Sequence, residues 1–508
     1  MSSNEKLIVL DDVCKHFKVS GGMLKAVDHI SLDIYKGETL GLVGESGCGK
    51  STLGRTILQL YHQTYGRTMY YGRSLDDLAP KYVIDTVRNL KSRRMKLREL
   101  EQKRDKLEAE YAKLSEKEQY AKHGELDAAR KLAEDALLDI TKIVGGFLVV
   151  DNLDPVIAAY SKDYAIAHNL SSMEEKRQEL QVDVDDAEYA KKTAEKAGKS
   201  AKDGQLQRAQ EKLKQCDDQI AALRAQLNAG RKEIEALRAP YANDPEFQKY
   251  EAYRDDGIDL ARLEYNEMRR LRRDMQLIFQ DPYSSLNPRM SVGQIISEGM
   301  QAHNMIKKKD ARMQEMVLKI MDDCGLAPYF LHRFPHQFSG GQRQRIGIAR
   351  ALATRPKFVV CDEAVSALDV SIQAQIINLL LDLKEQQNLT YMFITHDLSV
   401  VKYISDRVGV MYLGTMVELA AADEIFHHPI HPYTEALLNA IPTTDTVGAK
   451  ELSILEGDIP SPVNPPKGCK FHTRCKYCTE ICTQVVPEWE EVRPNHFVAC
   501  HHKLEVKE

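Results

Sequence analysis

The sequence predicts an α/β protein that is interrupted by a long helical insertion and ends in a small cysteine-rich extension. Residues 1–80 and 266–425 alternate short apolar runs with glycine-containing turns, a texture typical of α/β proteins. Residues 81–265 are rich in Lys, Glu, Ala and Leu, whereas residues 426–508 are rich in Pro, His and Cys. We therefore expect one α/β domain in two pieces, with a helical segment inserted and a small segment appended.

Length, charge and hydropathy limit the classes of function. The chain has 508 residues, enough for several domains, and its formal net charge of -5 argues against a protein whose main partner is nucleic acid. No run approaches the roughly 18 apolar residues of a membrane span. The first residues, Met1 to Lys6, lack the apolar segment of a secretory signal. We expect a cytosolic protein that reaches a membrane only through partners.

The insertion carries a heptad pattern over residues 206–237, which predicts an amphipathic helix with one apolar seam. The seam positions are Leu206, Ala209, Leu213, Cys216, Ile220, Leu223, Leu227, Gly230, Ile234 and Leu237. A weaker seam runs over residues 90–114. Because the chain must return to the domain it leaves, the two seams predict one antiparallel coiled-coil hairpin, with residues 143–169 as a small domain at its tip. A solvated, partly disordered insertion is the alternative.

A phosphate-binding loop is predicted at residues 44–51, which fit the pattern G-x-x-x-x-G-K-[ST]. The loop follows the apolar run Leu40 to Val43 and precedes a predicted helix, which is the context this motif requires. Lys50 is expected to reach the β- and γ-phosphates of a nucleotide, and Ser51 to ligate Mg²⁺. The nucleotide-binding residues predicted here are Gly44, Glu45, Ser46, Gly47, Cys48, Gly49, Lys50, Ser51 and Thr52.

Two adjacent carboxylates follow a second apolar run. The run Phe358 to Cys361 leads directly into Asp362 and Glu363, so both carboxylates are expected at the end of a buried strand. Asp362 is expected to help hold the Mg²⁺ shell, and Glu363 to polarise the water that attacks the γ-phosphate. Together with the phosphate-binding loop, these residues predict chemistry at the γ-phosphate of a bound nucleotide.

The segment between these motifs indicates the class of ATPase. Residues 338–342, Phe-Ser-Gly-Gly-Gln, closely match L-S-G-G-Q, the signature sequence of one class of ATPases. They begin a predicted helix, so they offer a second helix N-terminus to phosphate. The order of phosphate loop, Gln280, signature, paired carboxylates, Asp369 and His396 resembles the ATP-binding cassette (ABC) family throughout. The resemblance implies a P-loop ATPase of the ABC type, with a helical lobe that carries the signature.

The same resemblance implies roles for further residues. Gln280 would sense Mg²⁺ and the attacking water, and His396 would be the switch histidine beside the γ-phosphate. Asp369 would belong to a loop that takes part in the ATP site. Phe17 is expected to stack on adenine, although a lone Phe on a strand is often a core residue. The signature residues would complete the ATP site of a second subunit, head to tail: Ser339, Gly340, Gly341 and Gln342.

Three segments narrow the resemblance to the ATPase subunits of bacterial oligopeptide and dipeptide importers: residues 279–289, 366–375 and 431–438. The details are similar to the second of the two paired ATPases of such importers. The resemblance implies a heterodimer with a related ATPase, two membrane permeases and, indirectly, an extracytoplasmic substrate-binding protein. Nucleic acid is not an expected partner. The protein would lie on the cytoplasmic face of the membrane and drive peptide import, although close relatives carry nickel or sugars.

The C-terminal cysteines form a separate candidate site. The resemblance implies a [4Fe-4S] cluster bound by Cys469, Cys475, Cys482 and Cys500. Four thiolates suit that cluster, and they would equally suit structural Zn²⁺. A site without metal is the third alternative. Cys478 is an extra cysteine that could replace a neighbour as ligand.

A mechanical ATPase of the chromosome-maintenance or DNA-repair type is the alternative function, because such proteins also interrupt a cassette with a coiled coil. Here the insertion is short and ends before Gln280, and the C-terminal segment resembles that of peptide importers. An arginine-rich stretch at residues 269–273 could contact phosphate groups, but it equally suits a solvated helix. The importer is therefore the favoured interpretation.

Overall fold

The computed structural model describes residues 5–20, 22–198, 203–307, 312–440 and 457–504. The chain forms two compact units, a cassette unit of residues 1–72 and 269–508 and an insertion unit of residues 73–268. The predicted insertion at 81–265 is thus a unit of its own with slightly wider bounds. The segment predicted as an appended extension, residues 426–508, belongs to the cassette unit.

The cassette unit contains two sheets, whose order along the sheet differs from the order along the chain. Its strands are β1 Lys6–Val19, β2 Gly22–Tyr35, β3 Thr39–Val43, β4 Tyr65–Tyr70, β6 Met275–Ile278, β7 Phe358–Asp362, β8 Thr390–Ile394, β9 Arg407–Tyr412, β10 Thr415–Ala421, β11 Glu490–Arg493 and β12 His496–Val498. In the smaller sheet, β1 pairs antiparallel with both β2 and β4.

The larger sheet positions the functional loops and has the order β11-β12-β10-β9-β3-β8-β7-β6. Strands β3, β6, β7, β8 and β9 run parallel. Every residue of β3, β7 and β8 is buried, as expected for parallel strands covered on both faces. Since the carboxyl ends of parallel strands meet at one edge, the loops that follow β3, β7 and β8 come together there.

The C-terminal strands extend the same sheet, because β12 pairs antiparallel with β10 and with β11. This pairing explains why residues 426–508 do not form a separate unit. The cysteine-containing segment that precedes β11 is therefore tied to the larger sheet at its C-terminal end.

The helices of the cassette unit cover the larger sheet or form a helical lobe. They are α1 Lys50–Ile57, α10 Pro282–Ser285, α11 Val292–Ala302, α12 Met313–Asp323, α13 Gly340–Leu352, α14 Val370–Gln387, α15 Leu398–Ile404, α16 Ala422–His427, α17 Pro432–Asn439 and α18 Glu480–Gln484. Val292, Ile296, Met321 and Ile346 of the lobe share one buried core with Val359 of β7. The lobe predicted to carry the signature is thus packed onto the sheet.

The insertion unit is mostly helical. Its elements are α2 Leu75–Leu78, α3 Lys81–Arg88, α4 Leu90–Tyr111, α5 Glu116–Val144, α6 Asp154–Lys196, α7 Asp203–Arg238, α8 Pro245–Glu251 and the short strand β5 Ile258–Asp259. Helix α9, Tyr265–Leu271, crosses the chain boundary between the two units. The described residues of the insertion therefore form regular helices. This differs from the alternative prediction of a solvated, partly disordered insertion.

The heptad seam of α7 is buried as its periodicity predicts, but its partner differs from the prediction. Cys216, Ile220 and Leu227 pack against Ala167 and Leu170 of α6. Interhelical ion pairs fix the antiparallel direction of α6 and α7: Lys162–Glu233, Glu174–Arg224 and Arg177–Asp217. The prediction of a single hairpin between residues 90–114 and 206–237 was wrong, because each seam pairs with the helix next to it in sequence.

The earlier seam lies on α4, which packs against α5 in a second hairpin, with Arg130 of α5 bound to Glu108 of α4 at 2.6 Å. A heptad pattern specifies which face of a helix is buried but does not name the partner helix. The two seams that the sequence shows lie on α4 and α7, so they did not indicate that α5 and α6 are the partner helices.

The segment 143–169 is part of a core and not a domain at a hairpin tip, which corrects the prediction. Phe147 and Val156 share a buried cluster with Leu90, Ile140 and Phe247, which come from both ends of the insertion. The close packing of glycine at position 146 against the Phe247 ring explains the Gly-Gly pair, since a Cβ there would collide with that ring.

No helix among the described residues is long and apolar enough to cross a membrane.

Candidate ATP site

The phosphate-binding loop lies between the end of β3 and the start of α1, as predicted. Two of its glycines are required by geometry. Gly44 has φ 146° and Gly49 has φ 103°, and a Cβ at either position would collide with a backbone carbonyl oxygen, of Met411 and Ala26 respectively. The Lys50 Nζ donates to the Gly44 carbonyl oxygen at 2.7 Å. The loop therefore places its lysine and the N-terminus of α1 on one side of a nucleotide-sized space.

The predicted magnesium ligands are in contact with each other. Ser51 Oγ donates to Asp362 Oδ1 at 2.5 Å, across 311 positions of sequence. Asp362 is 1% exposed at the end of β7, and its other oxygen accepts from Arg55 Nη2 at 3.1 Å. A hydroxyl and a carboxylate at this spacing are oxygen donors of the kind that Mg²⁺ prefers. Arg55 was not predicted, and it neutralises Asp362 from α1.

The predicted catalytic residues converge on Glu363. Gln280 Nε2 donates to Glu363 Oε2 at 2.7 Å, and His396 Nδ1 lies 3.7 Å from Glu363 Oε1. The backbone of Glu363 has φ 49°, a left-handed conformation that is rare for a residue with a side chain. Strain of this kind is often found at functional sites. The carboxylate thus stands beside two other side chains that the sequence singled out.

These groups line one pocket of about 420 Å³. Phe17 also lines it and is only partly buried, so it is available to stack on a base and is not a core residue. Most of the predicted residues that line the pocket belong to the phosphate loop or the catalytic group: Ser46, Gly47, Gly49, Lys50, Ser51, Thr52, Gln280, Glu363 and His396. Lys25, Leu413 and Pro462 line it as well and were not predicted.

Cys48 of the loop is buried, and burial raises the pKa of its thiol although Lys50 Nζ lies 3.5 Å from its sulfur. A protonated, buried thiol is a small apolar group with little reactivity. Cys48 therefore contributes packing beneath the loop.

The signature residues do not line this pocket among the residues that the structure describes. Ser339 is exposed and forms the N-cap of α13, where its backbone N–H donates to Gln342 Oε1 at 3.1 Å. Its Oγ accepts from the Gln342 backbone N–H at 3.4 Å, which completes a capping box. Asp369 likewise begins a helix, α14, and is exposed. The signature thus forms a capped helix N-terminus that is exposed at the surface of this chain.

The C-terminal segment contacts the phosphate loop, which the sequence did not reveal. The Glu45 backbone N–H donates to Tyr433 Oη at 2.9 Å. Arg474 binds the Glu45 carboxylate, with Nη1 donating to Oε2 at 2.7 Å. Lys470 Nζ donates to Leu413 O at 3.0 Å, beside the pocket. No local motif marks these residues, because the contacts join positions that are 57 to 429 residues apart in the sequence.

The four predicted cluster ligands share one electrostatic environment. Cys482 is buried, while Cys469, Cys475 and Cys500 are partly buried. Burial, together with negative charge on the other three thiols, raises the pKa of the Cys500 thiol to about 12. The Cys469 N–H donates to the Cys482 carbonyl oxygen at 2.8 Å, which folds the segment back on itself.

Cys478 differs from the other four cysteines of the segment. It is exposed, whereas the other four are buried or partly buried. Among the residues that the structure describes, no three of the sulfur atoms of Cys469, Cys475, Cys482 and Cys500 lie within 4.8 Å of one another, so the cluster at these cysteines stays a prediction.

A buried parallel sheet, a phosphate loop and paired carboxylates at its edge define a P-loop ATPase of the cassette type. The family model for the ABC transporter matches residues 27–248 and 247–366. The model for the oligopeptide/dipeptide transporter C-terminal region matches residues 417–482. The chain therefore belongs to the ABC transporter ATPases, in the group that carries this C-terminal region.

Individual relatives agree with this assignment. The oligopeptide transport ATP-binding protein AppF of Bacillus subtilis is 52% identical over 250 residues, which are 48% of this chain and 75% of that protein. A Brucella ovis protein named for peptide import and ATP binding is 54% identical over 245 residues, which are 48% of this chain and 77% of that protein. YkfD of B. subtilis, named for oligopeptide transport, is 51% identical over 247 residues.

Proposed function

We propose that this protein hydrolyses ATP to power the import of peptides through a membrane permease. The contact between Gln280 and Glu363 supports hydrolysis, because it holds a carboxylate in the lining of the pocket that the phosphate loop also lines. The match of residues 417–482 to the peptide-transporter region supports the choice of cargo, as do relatives named for peptide transport. The DNA-repair alternative receives no support from these relatives.

The mechanism rests on positioning and charge neutralisation. When ATP enters, Lys50 exchanges the carbonyl oxygens of Gly44 and Glu45 for phosphate oxygens. Ser51 and Asp362, with Gln280 nearby, would hold Mg²⁺, which neutralises phosphate charge when bound. Glu363 accepts a proton from the attacking water, and His396 contacts the γ-phosphate from the same side of the pocket.

The complete catalytic site requires a second ATPase subunit in this proposal. The exposed N-terminus of α13, with Ser339 at its cap, would lie against the γ-phosphate of the partner's nucleotide, where the helix dipole favours negative charge. The partner would supply the same element to the pocket of this chain. The resemblance favours a related, non-identical ATPase, so that the pair is a heterodimer.

Coupling to transport would occur at the cytoplasmic face of the membrane. Two permease subunits would dock on the helical lobe, which follows Gln280 in sequence and packs onto β7. Closure of the ATPase pair around two nucleotides would then move the permeases. An extracytoplasmic substrate-binding protein would deliver the peptide without touching this chain.

A [4Fe-4S] cluster at the C-terminal cysteines is part of the proposal. Cys469, Cys475, Cys482 and Cys500 supply the four thiolates that the cluster needs. Zn²⁺ is the alternative occupant of the same set. Iron and acid-labile sulfide measured on anaerobically purified protein distinguish the two, since stoichiometric zinc without iron would reject the cluster.

The transport proposal is tested by reconstituting the protein with its permease pair and partner ATPase in liposomes. We expect ATP-dependent uptake of labelled peptides, and stimulation of ATP hydrolysis by the peptide-loaded binding protein. The matched control is the same complex carrying Glu363→Gln, which should assemble but not transport. Hydrolysis that responds to DNA and not to loaded binding protein would overturn the proposal.

A further inference from the structure

A second cluster of metal-binding side chains lies on β1 and β2, outside the catalytic group. Asp12, Cys14 and His29 place a carboxylate oxygen, a thiol sulfur and an imidazole nitrogen within 4.8 Å of one another. His29 Nδ1 is 2.6 Å from Asp12 Oδ1. The His29 backbone N–H donates to Cys14 Sγ at 3.1 Å. The cluster thus brings together three different kinds of zinc-binding group.

The backbone is distorted in a way that produces this convergence. Asp12 has φ 50° and His29 has φ 55°, so each takes the left-handed conformation that side chains usually avoid. The pairing of β1 with β2 is irregular on both sides of Val13. A bulge re-aims the side chains of its strand, and strained residues cluster at functional sites. The distortion directs the ligand atoms to one point between the strands.

We propose that Asp12, Cys14 and His29 form a Zn²⁺ site, with water as the fourth ligand. Thiolate and imidazole select zinc over the hard cations Mg²⁺ and Ca²⁺. Cys14 is fully buried, whereas the side chains of Asp12 and His29 are 34% and 58% exposed. Zinc can therefore enter from the surface and reach the buried sulfur. On binding, the Cys14 thiol loses its proton to solvent as the sulfur–zinc bond forms.

A neighbouring set, Cys14 with His16 and Asp28, is a poorer site. Asp28 already contacts Lys470 Nζ at 2.9 Å and Lys25 Nζ at 3.4 Å. Two lysines already neutralise the Asp28 carboxylate, so binding a metal there would add little electrostatic stabilisation. Zinc is therefore expected at Asp12, Cys14 and His29.

The site would link the two strands that flank the adenine end of the ATP pocket. β1 carries Phe17, and β2 carries Lys25, and both line that pocket. Zinc that binds the folded protein stabilises it by mass action. The expected consequence is a zinc-dependent rise in the melting temperature of the full chain.

The test compares the full chain with Asp12→Asn and His29→Asn. Asparagine tolerates the left-handed backbone, so each variant keeps the local conformation and loses only a charged or imidazole ligand. Asp33→Asn on β2 is the matched control, because Asp33 pairs with Lys6 outside the cluster. Cys14→Ser tests the sulfur directly. The C-terminal cysteines are present in every protein, so their metal content cancels in the comparison.

The measurements are zinc content after dialysis and the thiolate-to-metal absorption band after Co²⁺ is added. We expect the wild type and Asp33→Asn to hold one zinc more than the two cluster variants, whose affinity falls at least about tenfold. In Cys14→Ser the cobalt band should lose the intensity that comes from the Cys14 sulfur. In Asp33→Asn the band should match that of the wild type. Equal zinc content in all proteins, or equal cobalt spectra, would overturn the proposal.

Discussion

The guanidinium of Arg474 binds both carboxylate oxygens of Glu45, at 2.7 Å and 3.0 Å. Glu45 is the second residue of the phosphate-binding loop, and Arg474 directly precedes Cys475. The Arg474 side chain is 4% exposed and that of Glu45 is 22% exposed, so the pair is largely shielded from water. The C-terminal segment thereby fixes the loop that receives the phosphates of ATP.

Replacing Arg474 should weaken both the fold of this region and the binding of ATP. In Arg474→Ala the partly buried Glu45 carboxylate loses its partner, and the loss should cost up to about 3 kcal/mol. We expect a lower melting temperature and a higher Kd for a fluorescent ATP analogue. For Arg474→Lys, the melting temperature and the Kd should lie between those of the wild type and Arg474→Ala. Lysine keeps the positive charge but cannot bind both carboxylate oxygens in the bidentate geometry of arginine. An unchanged Kd in Arg474→Ala would show that the contact does not position the loop.

Replacing Glu363 should separate ATP binding from hydrolysis. Glu363→Gln keeps the size of the side chain but cannot accept a proton from the attacking water. A positioned general base contributes about 10²–10⁴ in rate, so turnover should fall by that factor while the Kd for ATP stays near the wild-type value. Phosphate release and ATP binding are measured on the same preparations. Glu385→Gln, an exposed site on α14, is the control, and near-normal hydrolysis by Glu363→Gln would reject the assignment.

The sequence predicted the ATP site better than it predicted the insertion. The phosphate loop and the carboxylates follow buried strands, and parallel strands bring such loops to one edge, so motif and topology together placed Lys50 beside Glu363. The seam of α7 revealed its buried face, but not that α6 is the partner. The contact of Arg474 with Glu45 spans 429 positions and depends on side-chain geometry that no local pattern encodes.

The insertion unit should unfold without loss of ATP hydrolysis when its hairpin core is weakened. Ile220 is 5% exposed in the core between α6 and α7, and Ile220→Ala should cost about 2–5 kcal/mol through lost burial and a cavity. Calorimetry should show one transition moving to lower temperature, with ATPase activity unchanged. Leu132→Ala on α5 is the control, because Leu132 is 54% exposed and its loss removes little buried area. A parallel loss of ATPase activity would contradict this expectation.

Acidification should destabilise the cassette unit through His431. Burial lowers the pKa of His431 to about 4, although the charge of Glu418 opposes this. The unfolded chain therefore takes up a proton near pH 6.5, whereas the folded protein does so only near pH 4. Stability from this residue is complete above pH 6.5 and is lost as the pH falls toward 4, by about 3 kcal/mol at most.

The substitution His431→Asn isolates this effect. His431 Nδ1 accepts from the Tyr433 backbone N–H at 3.0 Å at the start of α17, and an asparagine oxygen can cap the same helix without titrating. His496, which contacts Glu418 at 2.8 Å, is present in both proteins. We expect the melting temperature of the wild type to fall more steeply between pH 6.5 and 5 than that of His431→Asn. Equal slopes would show that another group controls the acid sensitivity of this region.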